Sequence, residues 1–307
     1  MTEIKSPEQK IGVVTRFAPS PTGLLHLGHA CAALFAETQA RAANGRFLLR
    51  IEDIDRGRCR AEFEDAIYED LNWLGLRWES PVRRQSDCMA DYQAALERLN
   101  GLGVLYPCFC TRADIKAEIE AAQGAPHWAQ SAGRFGATFG PDGPLYPGTC
   151  RTLSADERES KMAAGMPFAL RLDVQRALKL VHNSAGDLTW RDLDKGEIKA
   201  SPEIFGDVIL ARKDTPTSYH LAVTVDDHIQ GVTLVTRGAD LFPATHIHRL
   251  LQALLGLNVP VWRHHGLLVN AEGKRLAKRD QAETLQSLRQ SGHSPAHVRQ
   301  MAGFTQL

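Results

Sequence analysis

The stretch RFAPSPTGLLHLGH at residues 16–29 decides how the rest of the chain is read. It continues an apolar run from Gly12 to Phe17 whose β-branched Val13 and Val14 favour a strand. Pro19 and Pro21 block regular pairing and hold the residues before them extended. Ser20 and Thr22 are candidate caps for the element that follows. From Leu27 the apolar positions fall at 27, 31, 34 and 35, a helical period. The reading is strand, tight Pro/Gly loop, helix, with His26 and His29 at the helix entrance.

That arrangement suits one kind of ligand. A helix N-terminus presents unpaired N–H groups and the positive end of its peptide dipoles, so it attracts phosphate. Gly28 removes a side chain where a nucleotide would approach the backbone. Two imidazoles three residues apart share a helix face and can donate to a phosphate as charge develops there. A capped helix with two surface histidines would show the same bare pattern.

The wider context selects between these readings. Residues 16–29 resemble the first signature of the class I aminoacyl-tRNA synthetases, glutamyl branch, and KRLAKR at 274–279 resembles that family's KMSKS loop. RIEDID at 50–55 and RGAD at 237–240 lie between them in the family's order, so the resemblance spans roughly residues 12–285. It implies a doubly wound, Rossmann-like α/β parallel sheet split by an inserted zinc-binding module. The expected division is 11–105 and 201–285 for the two halves of the nucleotide-binding domain, 106–200 for the module and 286–307 for a short helical tail.

The resemblance also implies roles. His26 and His29 would stabilise the transferred phosphate and Lys278 the departing pyrophosphate, with Gly28 beside the ATP. Arg16, Phe17, Ala18, Pro19, Ser20, Glu52, Tyr219 and Arg237 would form the glutamate pocket, Glu52 meeting the ammonium group. Physically, two arginines suit a dicarboxylic amino acid, because a guanidinium pairs a carboxylate in a bidentate fork. Magnesium is expected with ATP. Ala277 stands where the family usually has serine, which removes one hydrogen bond to phosphate.

Bulk composition bounds the rest. A chain of 307 residues can bury a sizeable core in one or two domains. Lys plus Arg and Asp plus Glu balance at 36 each, so any surface for nucleic acid must be a local basic patch. No apolar run reaches membrane-spanning length and the polar start, Met1 to Lys10, has no signal-peptide core, so no membrane partner and a cytoplasmic location are expected.

Six cysteines in a chain this long do not suggest a secreted disulfide scaffold. Cys108 and Cys110 form a Cys-x-Cys pair, and Cys150 closes the Gly/Pro-rich segment after it. Three soft ligands need a fourth for tetrahedral zinc, and by generic chemistry His127 or His182 would supply it. The glutamyl relatives without an anticodon domain instead show Cys-x-Cys followed by Tyr-x-x-x-Cys, which implies Cys108, Cys110, Tyr146 and Cys150.

Beyond the cysteines the pattern predicts a charged helix from Ser154, a strand at 168–172 and a turn centred on Trp190, with no catalytic constellation between 151 and 200. Strands are predicted from Phe205 to Leu210, from His220 to Val225 and from Val232 to Val235, then a core helix around Ile247 to Leu255. Only 29 residues (307 − 278) follow Lys278, whereas a full glutamyl synthetase continues into a large helical anticodon-binding region. The resemblance is therefore to short glutamyl paralogues that glutamylate a modified base. The implied substrates are ATP, L-glutamate and the queuosine-bearing anticodon stem-loop of tRNA(Asp). Two other readings are a catalytic core that charges a tRNA 3′ end and a non-catalytic paralogue that binds tRNA or glutamate.

Overall fold

The computed structural model describes residues 12–123, 139–268 and 283–304. Its centre is a run of parallel strands. β1 (Val14–Phe17) leads through helix α1 (Leu27–Ala42) to β2 (Arg46–Ile51), and helix α2 (Ala61–Trp73) leads to β3 (Glu79–Arg84). The three strands pair in parallel in the order β1-β2-β3, as crossover helices require. Helix α3 (Met89–Gly101) follows, with Tyr92, Leu96 and Leu99 buried at the expected helical spacing.

A second sheet sits on the other side of β1. β11 (Leu234–Gly238) and β12 (Val261–His265) are parallel, and β12 is parallel to β8 (Thr189–Asp192), which forms a hairpin with β9 (Gly196–Lys199). The two sheets meet where Thr233 N donates to Val14 O at 3.0 Å and Val14 N donates to the Thr233 hydroxyl at 2.8 Å. From β1 the chain passes to β2 on one side, while β11 flanks β1 on the other. Open α/β sheets bind ligands at such a switch point, beyond the carboxyl ends of the strands.

A third, antiparallel sheet joins β4 (Leu105–Cys108), β7 (Ala169–Leu172) and β10 (Ile209–Ala211). Short strands β5 (Phe139–Gly140) and β6 (Gly143–Pro144) form a ribbon beside it, and helix α4 (Arg112–Gln123) follows β4. The boundary expected at residue 200 cuts through this arrangement. The Trp190 hairpin belongs to the sheet of β12, whereas the Phe205–Leu210 run feeds β10 into the small sheet. Backbone pairing between distant segments sets those partners.

One expected strand is a helix. Residues 220–225 lie inside Tyr219–Ile229, in which eight consecutive residues from His220 to Asp227 are buried. A short apolar run buried on all sides carries no period that separates helix from strand. The local signals that win are the Ser218 hydroxyl, which caps the helix by accepting from Leu221 N, and Thr224, which returns its hydroxyl to His220 O at 2.7 Å. The helix Ala155–Ala163 does begin at a Ser154–Glu157 capping box, and Ala244–Leu255 is a core helix as its pattern requires.

Candidate active site

Eleven of the residues singled out in the sequence line one cavity of about 480 Å3. They are Arg16, Phe17, Ala18, Pro19, Ser20, His26, Gly28, His29, Glu52, Tyr219 and Arg237. The cavity opens at the carboxyl ends of β1 and β11, with Glu52 just past the end of β2. Thr236, Asp240, His265 and Leu268 also line it. Lys278, Ala277 and the rest of KRLAKR lie outside the described residues. Both flanks of that segment reach the cavity: Leu268 lines it, and Thr284 bridges His26 while Leu285 N donates to Leu25 O at 2.8 Å.

The entrance to α1 is capped by histidine, where Ser20 and Thr22 were the expected caps. His26 Nδ1 accepts from Gly28 N at 3.1 Å, and His29 Nδ1 accepts from His26 N at 3.2 Å, a reciprocal box made of imidazoles. With both Nδ1 atoms accepting, each neutral ring carries its hydrogen on Nε2. The ring centroids are 3.9 Å apart. A Cβ on Gly28 would stand 2.9 Å from His26 Cε1, so the glycine makes room for the capping imidazole.

Arg50 is the buried hub on one side of the cavity. Its guanidinium meets Glu52 at 3.1 Å, Asp227 at 2.8 Å and Asp226 at 3.6 Å. Arg16 closes on the same Asp227 with two bonds, Nε at 2.9 Å and Nη2 at 3.3 Å, and donates Nη1 to Thr236 O. Asp226 is held in turn by Arg83, Gln85 and Tyr92. Burial alone would raise the Asp227 carboxyl, but Arg16 and Arg50 together bring it below the usual carboxylate range. Burial raises the Glu52 carboxyl despite Arg50 and Arg16.

Arg237, on β11, has different company. Among the described residues it bonds to His264 Nε2 at 3.2 Å, His248 Nδ1 at 3.3 Å and the Thr245 hydroxyl, and to no carboxylate. Burial, with Arg16 nearby, lowers its affinity for a proton against the opposing pull of Tyr219 and Asp227, although a guanidinium keeps its charge throughout the physiological range.

The cysteines converge some distance along the chain. Cys108 ends β4, Cys150 sits in a short turn at Thr149–Arg151, and the sulfurs of Cys108, Cys110 and Cys150 lie within 4.8 Å of one another. Cys110 Sγ is 3.4 Å from Cys150 Sγ and 3.5 Å from the Tyr146 hydroxyl. Tetrahedral zinc with Zn–S bonds of about 2.3 Å places its sulfurs about 3.8 Å apart, so this donor set fits one ion. His182, by contrast, is exposed and faces Asp187, and His127 lies outside the described residues.

The family described as tRNA synthetases class I (E and Q), catalytic domain, matches residues 12–303. A glutamyl-Q tRNA(Asp) synthetase of Rhodobacter capsulatus is 49% identical over 297 residues, covering 95% of this chain and 100% of the relative. One from Nocardia farcinica is 42% identical, covering 97% of this chain and 85% of its own length. The crystal structure of a glutamate tRNA ligase from Elizabethkingia meningosepticum, in complex with its amino acid, aligns with a TM-score of 0.74 at 25% identity. It covers 95% of this chain, which spans 60% of that longer protein.

Proposed function

Since this chain belongs to the class I tRNA synthetases of the glutamate and glutamine type, through their catalytic domain, we propose that it activates glutamate with ATP and transfers it to queuosine at the wobble position of tRNA(Asp). The observation that carries the reading is the single cavity in which an acid, Glu52, a buried cation, Arg237, and the histidine-capped start of α1 face one another. The ligand class follows from charge: Glu52 for an ammonium group, Arg237 for a side-chain carboxylate, and the helix N-terminus for phosphate.

Glutamate's α-carboxylate would attack the α-phosphate of ATP in line, forming glutamyl-adenylate and releasing pyrophosphate. No side-chain nucleophile is needed, so catalysis is positioning and electrostatic stabilisation. His26 and His29 would donate through Nε2 to the phosphate as it gains charge. Lys278 would hold the leaving pyrophosphate, and the flanks of its segment at the cavity mouth support that role. Magnesium would accompany the ATP. Cys108, Cys110, Tyr146 and Cys150 would bind zinc as a structural ion, since four protein ligands leave no position for substrate. Metal analysis should find about one equivalent in the protein and none in Cys110→Ser.

A queuosine hydroxyl would then attack the adenylate carbonyl and expel AMP. The relatives named glutamyl-Q tRNA(Asp) synthetase, at 49% and 42% identity, support this acceptor. The test offers labelled glutamate and ATP with tRNA(Asp) from cells able and unable to make queuosine, and with tRNA(Glu). Label is expected on queuosine-bearing tRNA(Asp) alone. Equal labelling of both tRNA(Asp) samples, or efficient charging of tRNA(Glu), would refute the assignment.

A further inference from the structure

The hydrogen bonds that radiate from Arg237 have only one consistent arrangement of protons. A guanidinium donates and never accepts, so His264 Nε2 and His248 Nδ1 must both be bare acceptors. His264 then carries its hydrogen on Nδ1 and donates it to Asp192 Oδ2 at 2.7 Å. His248 carries its hydrogen on Nε2, which reaches His220 Nδ1 at 3.2 Å, and His220 Nε2 in turn reaches Asp142 Oδ2 at 3.1 Å. Two relays therefore end on Arg237. Each begins at a carboxylate and presents a neutral imidazole to the guanidinium.

The chemical consequence concerns charge. A carboxylate placed directly on Arg237 would satisfy the same N–H groups and also cancel the cation, as Asp227 does for Arg16. Neutral imidazoles satisfy the N–H groups and leave the charge without a directly bonded counter-ion, with Asp227 acting on it only at longer range. A buried, hydrogen-bonded but unneutralised cation favours an anionic ligand over its amide isostere, because only the anion supplies the missing charge. None of Asp192, His264, His248 or His220 lines the cavity, so they act through Arg237.

We propose that Asp192 and His264, with His248 and His220 on the other flank, are positioning and specificity residues that hold Arg237 as an uncancelled cation and so select a ligand carboxylate against an amide. The inference rests on the assignment of Arg237 to the glutamate side chain, and its tests separate the two. Asp192 is the most telling position because it is remote from the ligand and buried. Its Oδ1 accepts from Asp194 N and Lys195 N at 2.9 and 3.1 Å, and an asparagine keeps those bonds through its own Oδ1. In Asp192→Asn the amide NH2 would face His264 Nδ1 as a donor. The histidine must then carry its hydrogen on Nε2, which points a donor at a donor on Arg237.

The experiment is glutamate-dependent ATP–pyrophosphate exchange with the full chain, reading KM for glutamate, KM for ATP, and activity with glutamine. Arg237→Gln is expected to raise KM for glutamate about a hundredfold, and Asp192→Asn about tenfold through the lost acceptor, with KM for ATP unchanged in both. His264→Glu, which puts a carboxylate against the guanidinium, should raise KM for glutamate at least tenfold and narrow the preference for glutamate over glutamine. His264→Gln, a neutral acceptor, should stay within about threefold of the parent. Thermal melts accompany each variant, and should His264→Glu fail to fold, Asp192→Asn still decides. If Arg237→Gln raises KM while Asp192→Asn and His264→Glu leave it within twofold, the relay proposal is wrong and the assignment of Arg237 stands. If Arg237→Gln leaves KM unchanged, the assignment falls and the relay proposal with it. Losses in KM for ATP and in melting temperature that parallel the glutamate effect would show a merely structural role and overturn the proposal.

Discussion

Arg16 and Arg237 face the same cavity from adjacent strands, yet the protein treats their charges in opposite ways. Arg16 is locked by two bonds to Asp227, which Arg50 shares, so three groups from β1, β2 and the helix Tyr219–Ile229 form one compensated cluster. Arg237 is held by two imidazoles and a hydroxyl, and no carboxylate among the described residues bonds to it directly. The first arrangement is a structural member of the wall. On the proposed reading the second holds a cation for a ligand to meet. The same residue type would then serve stability on one side and recognition on the other, and its hydrogen-bond partners distinguish the two uses.

The largest expected difference comes from removing each arginine in turn. Arg16→Gln strands Asp227 with Arg50 alone, and breaking a buried pair costs about 3–5 kcal/mol, readable as a fall in the urea midpoint. Arg237→Gln removes no ion pair and should leave that midpoint within about 1 kcal/mol while abolishing selection for a carboxylate. Equal destabilisation by the two changes would erase the distinction.

Acid should dismantle the two sides in sequence. Burial, reinforced by the Arg237 charge, pushes His264 down to about 4, even with Asp192 as its partner. A histidine whose folded value lies below its unfolded value of about 6.5 contributes stability that is fully present above that pH and lost as the pH falls toward 4. Up to about 3 kcal/mol of pH-dependent stability belongs to this window, and it should vanish in His264→Gln. Arg16 and Arg50 hold Asp227 below the ordinary carboxylate range, so its pairing with Arg16 survives until the pH drops below that range. Denaturation curves of the parent and of His264→Gln that keep the same spacing from pH 7 to 4 would contradict the neutral-histidine arrangement.

The smallest effect contrasts two buried aspartates. Asp227 is over-supplied with partners, whereas among the described residues Asp70 on α2 has one long contact to Arg289, at 3.4 Å, and an Oδ2 without a hydrogen-bond partner. Burial raises Asp70 to about 6, against the opposing charge of Arg289. Its negative form is therefore a burden at neutral pH, and Asp70→Asn should stabilise the fold by about 1 kcal/mol at pH 7 with little gain at pH 4. Asp227→Asn should destabilise at pH 7. Thermal melts at the two pH values settle both signs.

Much of this could be read along the chain. The first strand, the Pro/Gly loop and α1 follow from β-branched residues, proline geometry and a helical period that are all local. The motifs at 16–29, 50–55 and 237–240 named cavity residues that the fold brings together from three strands. Cys108, Cys110, Tyr146 and Cys150, the set the family resemblance implied, lie together as well. The failures have separate causes. The run 220–225 was read as a strand because a segment buried on all faces shows no period, and the helix caps at His26 and His29 were missed because an imidazole is an unusual capping group.

Asp192, His264, His248 and His220 carried no signal at all: isolated histidines and an aspartate after Trp190-Arg191 look like surface residues. The sequence by itself determined the first strand–loop–helix unit, the core helix Ala244–Leu255 and the residue types the site would use, because strand and helix propensity and ligand chemistry act within a few residues. Only the tertiary structure decided which arginine is neutralised and which is left charged. That outcome depends on β8 pairing with β12, on β11 lying against β12, and on the helix Ala244–Leu255 bringing His248 to Arg237. A buried guanidinium takes its character from whichever acceptor packing places within about 3 Å, and that acceptor comes from another element of the fold.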